Sequence, residues 1–147
     1  MVEFPVAEAT VLSPSRTFWE KATLIHAECG RATLERSVAR LSRHWYDLAL
    51  LADHWIGAKA MGEDLGLFRD VVAHKRVFSA AGHAHYEACL AGGIRLVPGE
   101  PLLRELQADY QGMQDMIYGQ PLAFQEMMQR LRSLESRING PANGALA

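Results

Sequence analysis

The apolar positions of this chain repeat mainly at helical intervals. Phe18, Ala22 and Ile25 mark one stripe. Val38, Leu41, Trp45, Leu48 and Ala52 follow a 3-4-3-4 spacing that faces a core in a helix. Leu67, Val71, His74 and Phe78 mark a third stripe, with Asp64 placed to cap it. Leu103, Leu106, Tyr110, Met113 and Ile117 mark a fourth, and Phe124, Met127, Leu131, Leu134 and Ile138 a fifth. Punctuation sets the bounds. Ser13 is a good N-cap, and Pro14 suits the first helical position, where the missing N–H has no intrahelical partner anyway. Gly30 reads as the stop. The pattern predicts helices at about 14–29, 38–55, 65–80, 101–119 and 121–139. Gly57 and Gly62 punctuate a short helical or turn segment.

The remainder is less regular. Residues 2–12 alternate loosely, with Val2, Phe4 and Val6 and then Val11 and Leu12, and read as extended. A lone strand needs a sheet, and no partner strand is evident elsewhere, which hints at a missing upstream part. Ala81 to Gly93 is ambiguous, and Ile94 to Pro98 reads as short and extended. The expected fold is mainly α, a helical bundle of four to five helices with a short N-terminal extended segment. The domain reading is an extended segment over 1–12, a helical lobe over 13–139 and a frayed tail over 140–147.

Composition changes little in this picture. A chain of 147 residues with 49% hydrophobic and 22% charged residues suits one globular domain. A net charge of −2 gives no global pull toward nucleic acid or membrane. Charge is uneven, however. Arg31, Arg36, Arg40 and Arg43 are opposed only by Glu35, and this patch can meet phosphates or simply be a solvated face. Cys29 and Cys89 match no metal spacing and read as reduced thiols. No apolar run approaches the ~20 residues of a membrane span, and no signal peptide is evident, so a cytoplasmic location is expected.

Two stretches carry candidate chemistry. Thr17-Phe18-Trp19-Glu20-Lys21 lies mid-helix, and Arg40-Leu41-Ser42-Arg43-His44-Trp45-Tyr46-Asp47-Leu48 opens the next segment. Together they resemble the late motifs of AbiEii/AbiGii-type nucleotidyltransferase toxins, a Glu-Lys on one helix and an Arg-x-x-x-Asp-Leu on the next. His74-Lys75, Asp109-Tyr110, Met113, Met116-Ile117-Tyr118-Gly119, Pro121, Phe124 and Leu134-Glu135-x-x-Ile138-Asn139 extend the resemblance over roughly residues 10–139. The order and spacing of these short motifs make the match specific.

The resemblance implies Lys21 and Asp47 as catalytic residues, with Lys21, Arg40 and Arg43 meeting nucleotide phosphate. It implies a nucleoside triphosphate and Mg2+ in the complete enzyme, transfer of a nucleotide to RNA (tRNA-like) or protein, and an antitoxin partner in a toxin–antitoxin or phage-defence setting. The family's metal-binding pair, a Gly-Ser followed by an Asp-x-Asp, has no counterpart in these residues. The chain is therefore expected to carry half of a site as a truncated lobe, to be inactive alone, to bind no cofactor tightly and to hold no metal. A sticky face and a homo-oligomer are also expected. Beside this stand plainer readings: Lys21 as a snorkelling lysine, and Arg43 with Asp47 as a helical surface pair of a few tenths of a kcal/mol.

Two alternatives belong to other classes. A non-enzymatic helical module would bind RNA or an antitoxin through Arg31 to Arg43. Arg69 and His74 also match the Arg-x4-His signature of HEPN-type ribonucleases. Five positions on a straight helix set two side chains about 140° apart, so that pair does not converge by itself, and a core or boundary role for His74 is the better expectation. His83 and His85 lack a third ligand nearby and read as loop residues. The methionines of the last two helices read as core filler.

Overall fold

A computed structural model describes residues 13–31, 41–78, 85–114, 119 and 121–140. The expected extended segment over 2–12, Arg40 and most of the tail lie outside the described residues, as do Arg36, Val38, His83 and Ile117. The architecture is mainly α: α1 Pro14–Cys29, α2 Arg43–Ala52, α3 Trp55–Met61, α4 Gly66–Phe78, a 3-10 turn Tyr86–Ala91, α5 Leu102–Gln114 and α6 Phe124–Asn139.

Helix α1 is the central element. It packs against α2, α3, α4 and the 3-10 turn, and Phe18, Trp19, Ala22 and Ile25 are fully buried. The start follows the expected chemistry. Ser13 Oγ accepts from the Arg16 N–H, and Pro14 takes the first turn. The end does not. Gly30 has φ −84° and closes the last turn by donating its N–H to the Ala27 carbonyl, so it uses no left-handed freedom. Trp19 stacks on Phe68 of α4 at 4.2 Å and donates its indole N–H to the Ala60 carbonyl of α3 at 3.2 Å. One aromatic side chain thereby ties three helices together.

The second expected helix ends three residues early, and the short segment around Gly57 is a helix of its own. Leu41, Trp45, Leu48 and Ala52 are buried as their spacing predicts. The helix stops at Ala52, and His54, with extended backbone, accepts the Ile56 N–H on its side chain and starts α3. Gly57 allows the turn. A Cβ there would lie 2.4 Å from the Leu51 carbonyl oxygen and 2.9 Å from that of Ala52. Trp55 consequently leaves the core and is 61% exposed.

Three further expectations need correction. Asp64 does not cap α4 with its side chain. Its carboxylate accepts from Ser15 at 2.6 Å and from Lys59 at 2.7 Å, which fastens the loop to the start of α1. His74 is exposed, because α4 buries Phe68, Val71 and Val72 instead. Leu103 is only half-buried, and Leu102 takes the inward place at the start of α5.

Ile94 to Val97 has no regular secondary structure, bends at Val97 and joins no strand among the described residues. Side chains satisfy its backbone instead. Asn139 accepts from the Ile94 N–H and donates to the Ile94 carbonyl, at 3.0 and 3.1 Å. Glu135 accepts from the N–H groups of Leu96 and Val97, at 2.6 and 3.3 Å. The Trp45 indole donates to the Leu96 carbonyl at 3.0 Å. His26, 4% exposed, accepts the Arg95 N–H at Nδ1, so its Nε2 carries the proton and donates to the His85 carbonyl. These bonds replace a sheet partner for a buried segment, where unpaired backbone groups are costly.

Candidate functional site

Lys21 emerges from α1 one position before the buried Ala22, so its stem runs along the core edge while its ammonium reaches solvent. Asp47 sits on α2, between the buried Trp45 and Leu48 and half-exposed itself. The two helices pack together, and the Lys21 ammonium lies 3.2 Å from Asp47 Oδ2. Their side chains are 22% and 29% exposed, enough to meet a ligand and too little to sample solvent freely. Arg43, one turn before Asp47, approaches the same oxygen at 3.9 Å and remains 67% exposed. Lys21, Arg43 and Asp47 therefore converge, while Arg40 lies outside the described residues.

Two residues join this cluster that sequence reasoning did not place there. Lys75 on α4 lies 3.5 Å from Glu20 Oε1, and Glu20 also pairs with Arg16 one turn earlier at 3.5 Å. The sequence signal for Lys75 was its place in the His74-Lys75 dipeptide; its stem, unlike His74, turns toward α1. His44 is half-buried beside Lys21. Its Nδ1 has no hydrogen-bond partner among the described atoms. Burial holds its pKa below the usual histidine value, and the charge of Lys21 adds to this, followed after the opposing effect of Asp47 by Arg43 and Lys75. His44 is therefore neutral at pH 7.

Arg16, Lys21, Arg43 and Lys75 face Glu20 and Asp47 across α2, α1 and α4. The cluster holds two more cations than carboxylates, on a chain whose formal net charge is −2. Such a local excess attracts anions, and lysines held by partly buried carboxylates are oriented for charge-assisted hydrogen bonds to phosphate. Nucleophilic thiol chemistry is disfavoured. Cys29 and Cys89 are buried free thiols whose pKa is pushed up to about 12, chiefly by burial.

Other positions stand apart. A hollow of about 320 Å³ lies between the end of α2 and α6, lined by Asp53, Arg130 and Arg137 among others. A second of about 310 Å³ is lined by Arg31, Arg95 and Glu100. Neither includes Lys21 or Asp47. Arg31 is paired with Glu28 at 2.9 Å. Arg69 and His74 are both exposed on the same uninterrupted helix, α4. No group of three or more His, Cys, Asp or Glu side chains among the described residues is placed to hold a metal ion. No helix among them is long and apolar enough to cross a membrane.

A family model described as "Nucleotidyl transferase AbiEii toxin, Type IV TA system" matches residues 1–130, most of the chain. No curated protein and no solved structure matches significantly.

Proposed function

The chain belongs to the AbiEii nucleotidyl transferase toxin family of type IV toxin–antitoxin systems, and from that premise we propose that the Lys21–Asp47 cluster is the helical-lobe share of a nucleotidyltransferase site. The observation that carries the proposal is the 3.2 Å approach of Lys21 to Asp47 across two helices. Asp47 aims the Lys21 ammonium, and Lys21 with Arg43 meets the triphosphate of an incoming nucleotide. Nucleotidyl transfer needs this kind of help, because charge builds on phosphate oxygens while little covalent work falls to the protein. Arg40, three positions before Arg43 in sequence, is proposed to add a further phosphate contact. The acceptor is RNA, of tRNA type, or protein, and an antitoxin is the regulatory partner.

The family chemistry implies Mg2+. The described residues do not fit it: no carboxylate group of the necessary size is assembled, and Asp47 is engaged by Lys21 and Arg43. The sequence also has no Asp-x-Asp pair. No metal step is therefore assigned to these residues, and the 147-residue chain is proposed to bind nucleotide weakly without transferring it.

The test is a titration of each of the four nucleoside triphosphates against the isotopically labelled chain, with Lys21→Met and Asp47→Ala beside the wild type. Shifts focused on α1 and α2 that weaken in both variants are expected. Equal binding by all three proteins would overturn the assignment, and robust Lys21-dependent transfer by this chain alone would overturn the proposal that it is inactive by itself. Salt-sensitive RNA binding without a nucleotide effect would favour a binding module instead.

A further inference from the structure

The ion pairs on α1 come from adjacent residues. Glu20 and Lys21 have Cα atoms about 3.8 Å apart, and each is engaged from a different flanking helix, Glu20 by Lys75 of α4 and Lys21 by Asp47 of α2. Successive helical positions are about 100° apart, so the two pairs lie on neighbouring strips of the same turn of α1, one toward α4 and one toward α2. Lys75 keeps only 17% of its side chain exposed, so its stem is packed while its charged end is held at Glu20. The sequence contains three lysines; the third, Lys59, is committed to Glu63 and Asp64. Two of three lysines are thus held in ion pairs at the same turn of α1. His44 senses both of them electrostatically, which places their charges in one local field.

We infer that Lys75 is a second phosphate-contacting cation of this site, and that a polyphosphate chain binds with Lys21 and Lys75 together while Glu20 acts as the latch that Lys75 leaves to engage it. The inference rests on the nucleotide-site reading above. Glu20 is shared by Arg16 and Lys75, so release of Lys75 does not strand the carboxylate: Arg16 stays on it. An anion with several charged oxygens gains from both ammonium groups at once, whereas a single monovalent anion gains from one. The ligand class is thus a triphosphate or tripolyphosphate tail rather than a lone carboxylate.

Inorganic tripolyphosphate separates this from recognition of base or ribose. The experiment titrates it against the labelled chain and follows the amides of α1 and α4 and the His44 imidazole. Lys75→Met is expected to weaken binding by about tenfold, the loss of one charge-assisted contact. Lys21→Met should do the same, and Lys59→Met, which makes the same change of net charge elsewhere, should leave affinity unaltered. Glu20→Gln should tighten binding by releasing the latch, an effect that a merely structural role for Lys75 does not produce. Lys75→Arg keeps the charge and should retain binding; if Lys75→Met does not fold, Lys75→Arg and Glu20→Gln decide. An affinity for Lys75→Met equal to that of Lys59→Met, with Lys21→Met weakened, would overturn the inference and leave the nucleotide site standing. No loss in either Lys21→Met or Lys75→Met, or no tripolyphosphate binding by the wild type, would overturn both.

Discussion

Glu135→Ala probes how this domain is held together without a sheet. The carboxylate of Glu135 accepts two backbone N–H groups, from Leu96 at 2.6 Å and from Val97 at 3.3 Å. Leu96 is fully buried, so truncation leaves at least one donor stranded. A hydrogen bond to a charged group contributes about 1.5–3 kcal/mol, and the longer second bond adds less. The expected loss is about 2–3 kcal/mol, which lowers Tm by roughly 5–15 °C in a domain of this size. Glu135→Gln keeps an acceptor oxygen without the charge and should cost about half as much. Urea unfolding gives the free energies, with an unchanged slope required for the comparison to hold. The Trp45 indole N–H donates to the Leu96 carbonyl, so its resonance reports the same segment locally and should move in Glu135→Ala. A loss below about 0.5 kcal/mol, the range of ordinary surface substitutions, would refute the claim that side chains replace the sheet partner.

Gly57→Ala should destabilise the fold by about 1–3 kcal/mol, because its Cβ would sit 2.4 Å from the Leu51 carbonyl oxygen and the α2–α3 junction must open; a melting temperature equal to wild type would contradict the close approach. The His44 titration, followed by imidazole resonances, should move up in Lys21→Met and further down in Asp47→Asn, as the nearby charges require. The sign for stability follows from its lowered folded pKa. Above the ordinary histidine value of about 6.5 the group is neutral folded and unfolded. As pH falls through that value toward the lower folded pKa, the unfolded chain takes the proton first and stability declines. His44→Gln should therefore flatten the loss of stability in that window, and an unchanged pH dependence would contradict a depressed His44.

Much of the fold was legible because its signals are local. Ser13 and Pro14 start α1 through chemistry confined to one turn, and the stripes bury Leu41, Trp45, Leu48 and Ala52 before and along α2 and Met127, Leu131 and Leu134 on α6, with Phe124 and Ile138 half-buried at its ends. What was hidden depends on contacts distant in sequence. Asp109 and Tyr110 were visible as a motif. Their roles were not: Asp109 accepts the Ser42 N–H at the start of α2, and Tyr110 donates to the Leu122 carbonyl. Glu135 and Asn139 likewise serve the backbone of 94–97 rather than a site. His26 carried no pattern at all, since a buried histidine between two loops is defined by its partners. The end of α2 at Ala52 rather than Trp55 was hidden because the cap that starts α3 is a histidine, His54, whose side chain accepts the Ile56 N–H. At the site, the Lys21–Asp47 convergence followed the family resemblance, whereas Lys75 and His44 needed the packing of α4 and α2 on α1.

The most direct measurement of the central claim is a structure of this chain with a non-hydrolysable nucleoside triphosphate. The Lys21 ammonium is expected about 2.7–2.9 Å from a phosphate oxygen, with Asp47 still beside it and Arg43 turned to the same tail. A nucleotide seated instead in the hollow lined by Arg31 and Arg95, with the Lys21–Asp47 pair untouched, would contradict it.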